Sequence, residues 1–557
     1  MSDTATPPGA ARRAAGAAAI VLLLVYWTWA LGRAPLFDVD EGAFAEASRE
    51  MRAGGDWGHT TLAGADRFDK PILVYWLQAA ALAVCGVDEV AVRLPSALAA
   101  LAWCVALAAF AAPRDGTRAA WLAAAMLATS LGPLLIGRAA TADALLNALL
   151  ALAMTDLWRA IEAGGADRGA LRRCALWCAL GMLTKGPVAV LIPAATLLLW
   201  QASVRVAAPS PLRHSAASAR LPWRALADVP AWAIFAGVAL PWYAYALHRH
   251  GRAFVEGFFV HHNLERFRSP LEGHGGSVFY YLALLPLLWL PWTPCLALLW
   301  RGRRKVWAEP RSRFLLAWSA FVLVFFSLSG TKLPHYALYG LSPLVLLAAA
   351  RLAPAGLARC GRAIAVAVAA AAAGTVWLGL ASPQAVQAWV ASGRSPADAH
   401  WRALLDPAAA PVPPTAALGV AATLAIAGMA LLAWRSVRWR LHAVVAAALV
   451  DALVWTTAVV PWWGEALQGP VRNLARLAEA RGLALVQWQL DQPSASFYRG
   501  AAAPKRSPAP GEAALVRADR LAALPAAERA GLETLAAERG FVLVVREPPA
   551  ANAAESR

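Results

Sequence analysis

The chain has 557 residues, of which 59% are hydrophobic and only 15% charged, where ordinary soluble domains carry about 25% charge. That balance argues against a soluble globular protein. The net charge of +17 and pI near 10.3 would suggest a nucleic-acid partner in a soluble chain. Here the arginines sit mainly in short loops between apolar segments, as the positive-inside rule expects, so the reading is membrane and no nucleic acid.

Taken in chain order, Arg12 and Arg13 precede an apolar run at 14–31. It is longer than a signal-peptide core and ends in Gly32-Arg33, so it reads as an uncleaved first span. Further candidate spans are 90–112, 119–136, 140–158, 171–184, 187–200, 229–247, 277–300, 314–329, 336–350, 364–380, 415–434 and 441–460, giving about 13 helices. An odd count puts the termini on opposite sides. With the N-terminus cytoplasmic, most Lys and Arg fall in the inside loops, among them those with Arg114 and Arg118, 159–173, 205–224, 301–313, 351–362 and 435–440. The segment 71–86 is apolar but only about 16 residues long. If it crossed, the bias would reverse, so it reads as an interfacial helix.

The first outer loop then covers 33 to about 89 and is the richest in acids. Residues 1–461 read as a transmembrane domain and 462–557 as a small periplasmic α/β domain. Within the latter, 475–481 and 521–539 read as helices, 483–490 and 541–545 as strands, 504–510 as a loop and 548–557 as disordered. The six cysteines form no CxxC pair. Cys174 and Cys178, four apart on one helix face, read as small packing residues.

Several polar residues stand out against this apolar background. Asp38, Asp40, Glu41, Glu46 and Glu50 cluster just beyond the first span, either as a solvated, capped helix start or as site acids. Next comes Arg67-Phe68-Asp69-Lys70-Pro71 with Tyr75-Trp76-Leu77. A cation there could hold a phosphate, or Lys, Tyr and Trp could simply anchor the interface. Asp143 near the outer end of the fourth span and Asp451 deep in the last are costly unless they face a cavity or partner. Lys185 and Lys332 at helix ends could snorkel, or could join Lys70 in a cationic pocket for a lipid phosphate. His261 and His262, with Asp69, offer a mixed ligand set for a divalent metal.

These motifs, in this order, resemble the GT-C membrane glycosyltransferases. They are the Asp40-Glu41 segment through Ser48-Arg49-Glu50-Met51, Phe68-Asp69-Lys70-Pro71 with Tyr75-Trp76-Leu77, Leu183-Thr184-Lys185-Gly186-Pro187 and Thr331-Lys332-Leu333-Pro334-His335-Tyr336. The closest group is the bacterial 4-amino-4-deoxy-L-arabinose transferases, within the broader dolichyl-phosphate-mannose-protein mannosyltransferase-like family. The resemblance implies a polytopic α-helical GT-C fold with about 13 spans and its active site at the outer face of the bacterial inner membrane. It implies an inverting transfer from a polyprenyl-phosphate sugar, with no nucleotide cofactor, to an acceptor such as lipid A, another lipid, a glycan or a protein hydroxyl. It makes Asp40 the main catalytic carboxylate, beside Glu41, and Asp143 the second site acid. Lys70, Arg266 and Tyr336 would hold the carrier phosphate, and Lys185 would be a further cavity lysine. Two departures are visible. Ala43-Phe44 stands where the family often has Arg-Tyr, and Asp69 where it usually has Glu.

Two other classes compete. A lipid-sugar transporter or flippase would use Asp143, Asp451 and Lys185 along a path, but transporters often show internal repeats and none is visible. A non-catalytic assembly factor would use the outer tail to bind partners.

Overall fold

The computed structural model describes residues 8–206, 221–270, 273–355, 359–392 and 399–547. Helices dominate because a backbone in hydrocarbon must satisfy its own polar groups. Among the described residues, eight helices are long and apolar enough to cross a membrane. The number is nine if Tyr280–Leu288 and Thr293–Arg301, bent by 114°, form one span.

Each expected span falls on helix. The larger sequence count includes the shorter apolar helices Ala14–Thr28 and Val188–Val204 and the more polar Arg168–Lys185. It also divides Glu89–Ala128 in two. That long helix breaks at Gly116, whose φ of 84° and ψ of 168° suit glycine. The expected span 119–136 is itself interrupted: the helix stops at Ala128 and a short one resumes at Leu131–Ile136.

Loops assigned by sequence to one side meet at one end of the bundle. Arg114 pairs with Glu162. Arg311 lies 2.8 Å from Asp115, and Arg172 lies 3.0 Å from Asp228. These contacts all follow segment 71–86 in the chain and do not depend on whether it crosses. That segment forms Leu73–Cys85, 13 residues and about 20 Å long, short of the roughly 30 Å hydrocarbon core.

At the opposite end the helix Asp40–Gly54 packs between Leu73–Cys85 and the C-terminal region. It ends at Gly55 in the left-handed conformation, φ 71°. Ser48 Oγ donates to Gln78 Oε1 at 2.8 Å, and Gln78 Nε2 donates to the Val92 carbonyl at 3.1 Å. This buried polar chain ties three helices. A small hairpin, β1 (Thr61–Leu62) and β2 (Ala65–Asp66), follows.

The helix of the last span does not stop at Pro461. It continues over Arg440–Ala480, with a π-helical segment at Trp455–Val459, so the expected domain boundary falls inside it, and the helix expected at 475–481 is only its tail. Beyond lie β3 (Leu485–Gln487), β4 (Ala513–Arg517), β5 (Leu532–Glu538) and β6 (Phe541–Arg546) in the order β3-β4-β6-β5. β3 and β4 are parallel and the other pairs antiparallel. One sheet face buries Leu485, Leu515 and Leu543 with Val471, Leu474 and Ala478 of the long helix.

The helix expected over 521–539 is wrong. Two short helices, Ala518–Ala523 and Ala526–Arg529, give way to β5. Pro525 interrupts the run. Arg539 and Gly540, with φ of 40° and 82°, turn β5 into β6; such two-residue turns match strand twist. Pairing with β6 overrides the helical propensity of the Ala- and Glu-rich stretch. The tail expected to be disordered, 548–557, lies outside the described residues.

Candidate active site

Two cavities hold most of the expected site residues. The first, about 490 Å³, is lined by Asp69, Lys70, Lys185, Arg266 and Tyr336, with Phe258, Phe326 and Leu191 among its apolar walls. The second, about 440 Å³, is lined by Asp40, Glu41, Arg93 and Arg138 on its polar side and by Leu134, Ile136, Trp455 and Trp463 on its apolar side. Both are amphipathic, as a site for a lipid with a charged head requires.

Asp40 is exposed at the helix N-terminus and makes no hydrogen bond or ion pair among the described residues. Burial of its surroundings raises its pKa above the ordinary carboxylate value. Lys70 pulls it back, while Asp143 and Asp69 push it up. These charges, from three separate segments, therefore act on one another.

Lys70 Nζ lies 2.5 Å from Asp69 Oδ1, and Arg67 Nη2 lies 2.8 Å from Asp69 Oδ2. Burial favours a neutral Asp69, but Lys70, Arg67 and His262 overcome it and hold the carboxyl well below the usual range. Asp143 Oδ1 accepts from Lys185 Nζ at 2.6 Å and from the Tyr339 hydroxyl at 2.7 Å. His335 Nε2 lies 3.3 Å from Lys185 Nζ. Lys185 also stands over the rings of Tyr336 and Tyr339, 5.3 and 5.6 Å from their centres. Arg266 hydrogen-bonds Tyr336.

The expected residues therefore divide. Asp40, Asp69, Lys70, Asp143, Lys185, Arg266 and Tyr336 gather around the cavities. Glu41 is buried in a framework: Arg93 Nε and Nη2 donate to it at 2.9 and 2.7 Å, as do the backbone amides of Phe37 and Ala140 at 2.9 and 2.6 Å. Lys332 turns away from the cavity and donates to the carbonyls of Ser327 and Ser329 at 2.9 and 2.7 Å. There it caps the negative end of helix Pro310–Leu328. Asp451 stays buried in the last span, its Oδ1 without a partner.

The three expected metal ligands are not brought together. His262 Nδ1 is 3.3 Å from Asp69 Oδ1, but His261 turns to Glu265 at 2.8 Å. Burial pushes the His262 imidazole down to about 4. Asp69 already answers two cations, and no group of three such ligands occurs among the described residues. The residues present do not fit a metal as a closed set.

Tyr339, His335, Arg67 and Arg138 were missed as site residues. Tyr339 had a signal: it follows Tyr336 by three in the 3-10 helix Pro334–Gly340, where side chains three apart eclipse. Arg138 Nη2 donates to the Tyr26 carbonyl at 2.6 Å, while its Nε and Nη1 are buried without a partner.

This architecture is the GT-C membrane fold. The chain superposes on ArnT from Cupriavidus metallidurans bound to undecaprenyl phosphate with a TM-score of 0.78, covering 96% of this chain and 99% of that one at 22% identity. The apo form of the same protein gives 0.76, over 97% and 100%. Residues 69–221 match the family described as dolichyl-phosphate-mannose-protein mannosyltransferase. In sequence, the chain is similar to an undecaprenyl phosphate-alpha-4-amino-4-deoxy-L-arabinose arabinosyl transferase of Pseudomonas aeruginosa PAO1. The two are 33% identical over 329 residues, 56% of this chain and 55% of the relative. A protein of the same description from Yersinia enterocolitica is 31% identical over 57% of this chain and 55% of its own length. The chain thus spans about half the length of the curated relatives it matches.

Proposed function

We propose that this membrane protein is an inverting glycosyltransferase that moves a sugar from a polyprenyl-phosphate donor to an acceptor outside the cytoplasm. The carrying observation is the unpaired Asp40 carboxylate, set beside a cation-lined cavity and opening into a second, amphipathic one. The descriptions of the similar proteins support aminoarabinose as the sugar to test first and undecaprenyl phosphate as its carrier. Lipid A is the first acceptor to test. The setting is the bacterial inner membrane, with the N-terminus cytoplasmic and the C-terminal domain periplasmic.

The chemistry follows from charge. As the bond from the sugar's anomeric carbon to the carrier phosphate breaks, its electron pair passes to the phosphate oxygen. Lys70, Arg266 and Lys185, with the Tyr336 hydroxyl, stabilise that developing charge. The acceptor oxygen attacks the opposite face, which inverts the configuration. If the acceptor is a hydroxyl, its proton goes to Asp40; if it is an ionised phosphate, Asp40 orients the reactants. Asp143 holds Lys185 and Tyr339 in place. Glu41 and Lys332 serve the framework. No step is assigned to a metal; one recruited by Asp69 and His262 would have to draw its remaining ligands from substrate or water.

The test is turnover of a radiolabelled polyprenyl-phosphate sugar with total membrane extract, comparing the native chain with Asp40→Asn. Label appearing in a new lipid, glycan or protein fraction only with the native chain supports the reading. Equal activity in folded Asp40→Asn protein sinks it.

A further inference from the structure

The loop that joins the bent helix pair Tyr280–Leu288 and Thr293–Arg301 to helix Pro310–Leu328 reads Trp300-Arg301-Gly302-Arg303-Arg304-Lys305-Val306-Trp307. It lies at the end of the bundle away from the Asp40 cavities. The helix that follows it runs 19 residues, about 28 Å, before the chain reaches Lys332 and the phosphate cavity.

This loop is seated, not a free tether. Val306 is 3% exposed and packs into the main core, and the short helix Arg303–Ala308 lies against Pro310–Leu328. With Val306 turned inward, Arg301, Arg303, Arg304 and Lys305 are all exposed, four cations within five positions.

No acid answers them. Glu309, the nearest in sequence, accepts from Ser312 at 2.6 Å and lies 3.0 Å from Arg311. The acids Asp115, Asp156, Glu162 and Asp228 at this end hold other arginines. Arg301, Arg304 and Lys305 make no hydrogen bond or ion pair among the described residues. Arg303 donates to the Trp300 carbonyl at 3.2 Å and stands 5.0 Å from the centre of its ring.

Two tryptophans frame the cations. Trp300 is 70% exposed and Trp307 60%. Water is a poor environment for two such rings. At a bilayer boundary the indole body enters the apolar layer and its N–H stays among head groups, which sets the four cations at head-group depth. A zwitterionic lipid brings its own cation to cancel its phosphate. A lipid of net negative charge does not, and each basic residue near the surface strengthens its binding several-fold. A soluble polyanion would answer the cations but leave both indoles in water.

We propose that this loop binds an acidic phospholipid in the leaflet at the end away from Asp40. The phosphodiester lies among Arg301, Arg304 and Lys305, and the glycerol and upper acyl chains lie against Trp300 and Trp307. A lipid held there ties the end of the bent pair to the start of the next helix. The proposal requires only that the chain spans a membrane, and it holds whether or not the chain transfers a sugar.

The test titrates the full chain in detergent with phosphatidylglycerol, phosphatidylcholine and inorganic phosphate, counting bound lipid by native mass spectrometry. The loop variant carries Arg301→Gln, Arg304→Gln and Lys305→Gln together. A control carries Arg52→Gln, Arg481→Gln and Arg529→Gln, exposed arginines elsewhere with the same change in net charge. The native chain should bind phosphatidylglycerol at least about tenfold more tightly than phosphatidylcholine. The loop variant should lose that margin and the control should keep it. Trp300→Ala and Trp307→Ala should each weaken binding several-fold.

Equal affinity of the native chain for the two lipids overturns the proposal. So does unchanged affinity in the loop variant, or an equal loss in the control, which would reduce the effect to net charge. Displacement of the lipid by an equal concentration of inorganic phosphate would also overturn it. If the loop variant shows no folded melt, the single exposed substitution Arg304→Gln decides: a several-fold loss supports the site and no loss strikes it.

Discussion

The two charged ends of the helix bundle are built from the same residue types and do opposite things. At one end every acid is answered. Asp156 accepts from Arg159 at 2.7 Å, from Arg173 at 2.9 Å and from Trp177 Nε1 at 3.0 Å, and Asp115 holds both terminal nitrogens of Arg311. At the other end the accounts are left open. Asp40 is unpaired, Lys70 shares Asp69 with Arg67, and Lys185 is held by Asp143 beside a cavity. Satisfied charges tie loops together; unsatisfied ones, kept in place by neighbours, are available to substrate.

That contrast can be broken by experiment. The largest effect is expected from Asp40→Asn: transfer should fall by roughly 10²–10⁴ while thermal stability is unchanged. A matching loss of stability would make Asp40 structural. Next is Glu41→Gln, one residue along, which leaves the buried Arg93 charge uncompensated and should cost roughly 3–5 kcal/mol. Thermal unfolding and expression yield would register it, and an intact melting curve with lost transfer would move Glu41 into the chemistry. At the opposite end Asp156→Asn should cost about 1–3 kcal/mol, because its arginines keep access to solvent. Activity per folded molecule should not change; a fall there would couple the two ends.

Two pH experiments sharpen the contrast further. Burial raises Asp40 and Lys70 draws it down. An Asp40 base must be ionised, so transfer to a hydroxyl acceptor should rise with pH, and Lys70→Ala should move that rising limb to higher pH. A limb that stays put or moves lower would separate it from Asp40. The smallest effect concerns Asp38, which burial pushes up to about 8. A carboxyl raised on folding contributes stability below its unfolded pKa and loses it as pH climbs through the folded one. Between roughly pH 4 and 8 global stability should therefore fall, because ionising this carboxyl costs desolvation that the Ser494 donors offset only in part. Thermal melts over that range, flat for the native chain or falling as steeply in Asp38→Asn, would show that Asp38 is not the group responsible.

The membrane character and the positions of the apolar helices were legible because hydrophobic run length acts through the bilayer itself. The site was legible where motifs carried it. It was not legible where geometry decides between neighbours. Asp40 and Glu41 are adjacent acids in sequence, yet Arg93, 52 residues on, claims only the second. Lys332 reads like Lys185, but the carbonyls at the end of its own helix capture it. The departure at Ala43-Phe44 looked like a lost cation. Arg67 stands 5.8 Å from the centre of the Phe44 ring, so a guanidinium reaches this region from another segment. The strand β5 failed for a different reason: its composition is helical and only its partner makes it a strand.

Helix Arg440–Ala480 has 41 residues, with a π-helical segment at Trp455–Val459. At 1.5 Å per residue it is about 60 Å long, roughly twice the hydrocarbon thickness. Its far half carries the sheet, so the C-terminal domain is joined to the bundle by helix and not by a loop. That domain cannot turn freely about a linker: displacing it means bending or rotating the last span, and adding or removing a helical turn beyond Pro461 would move the whole sheet.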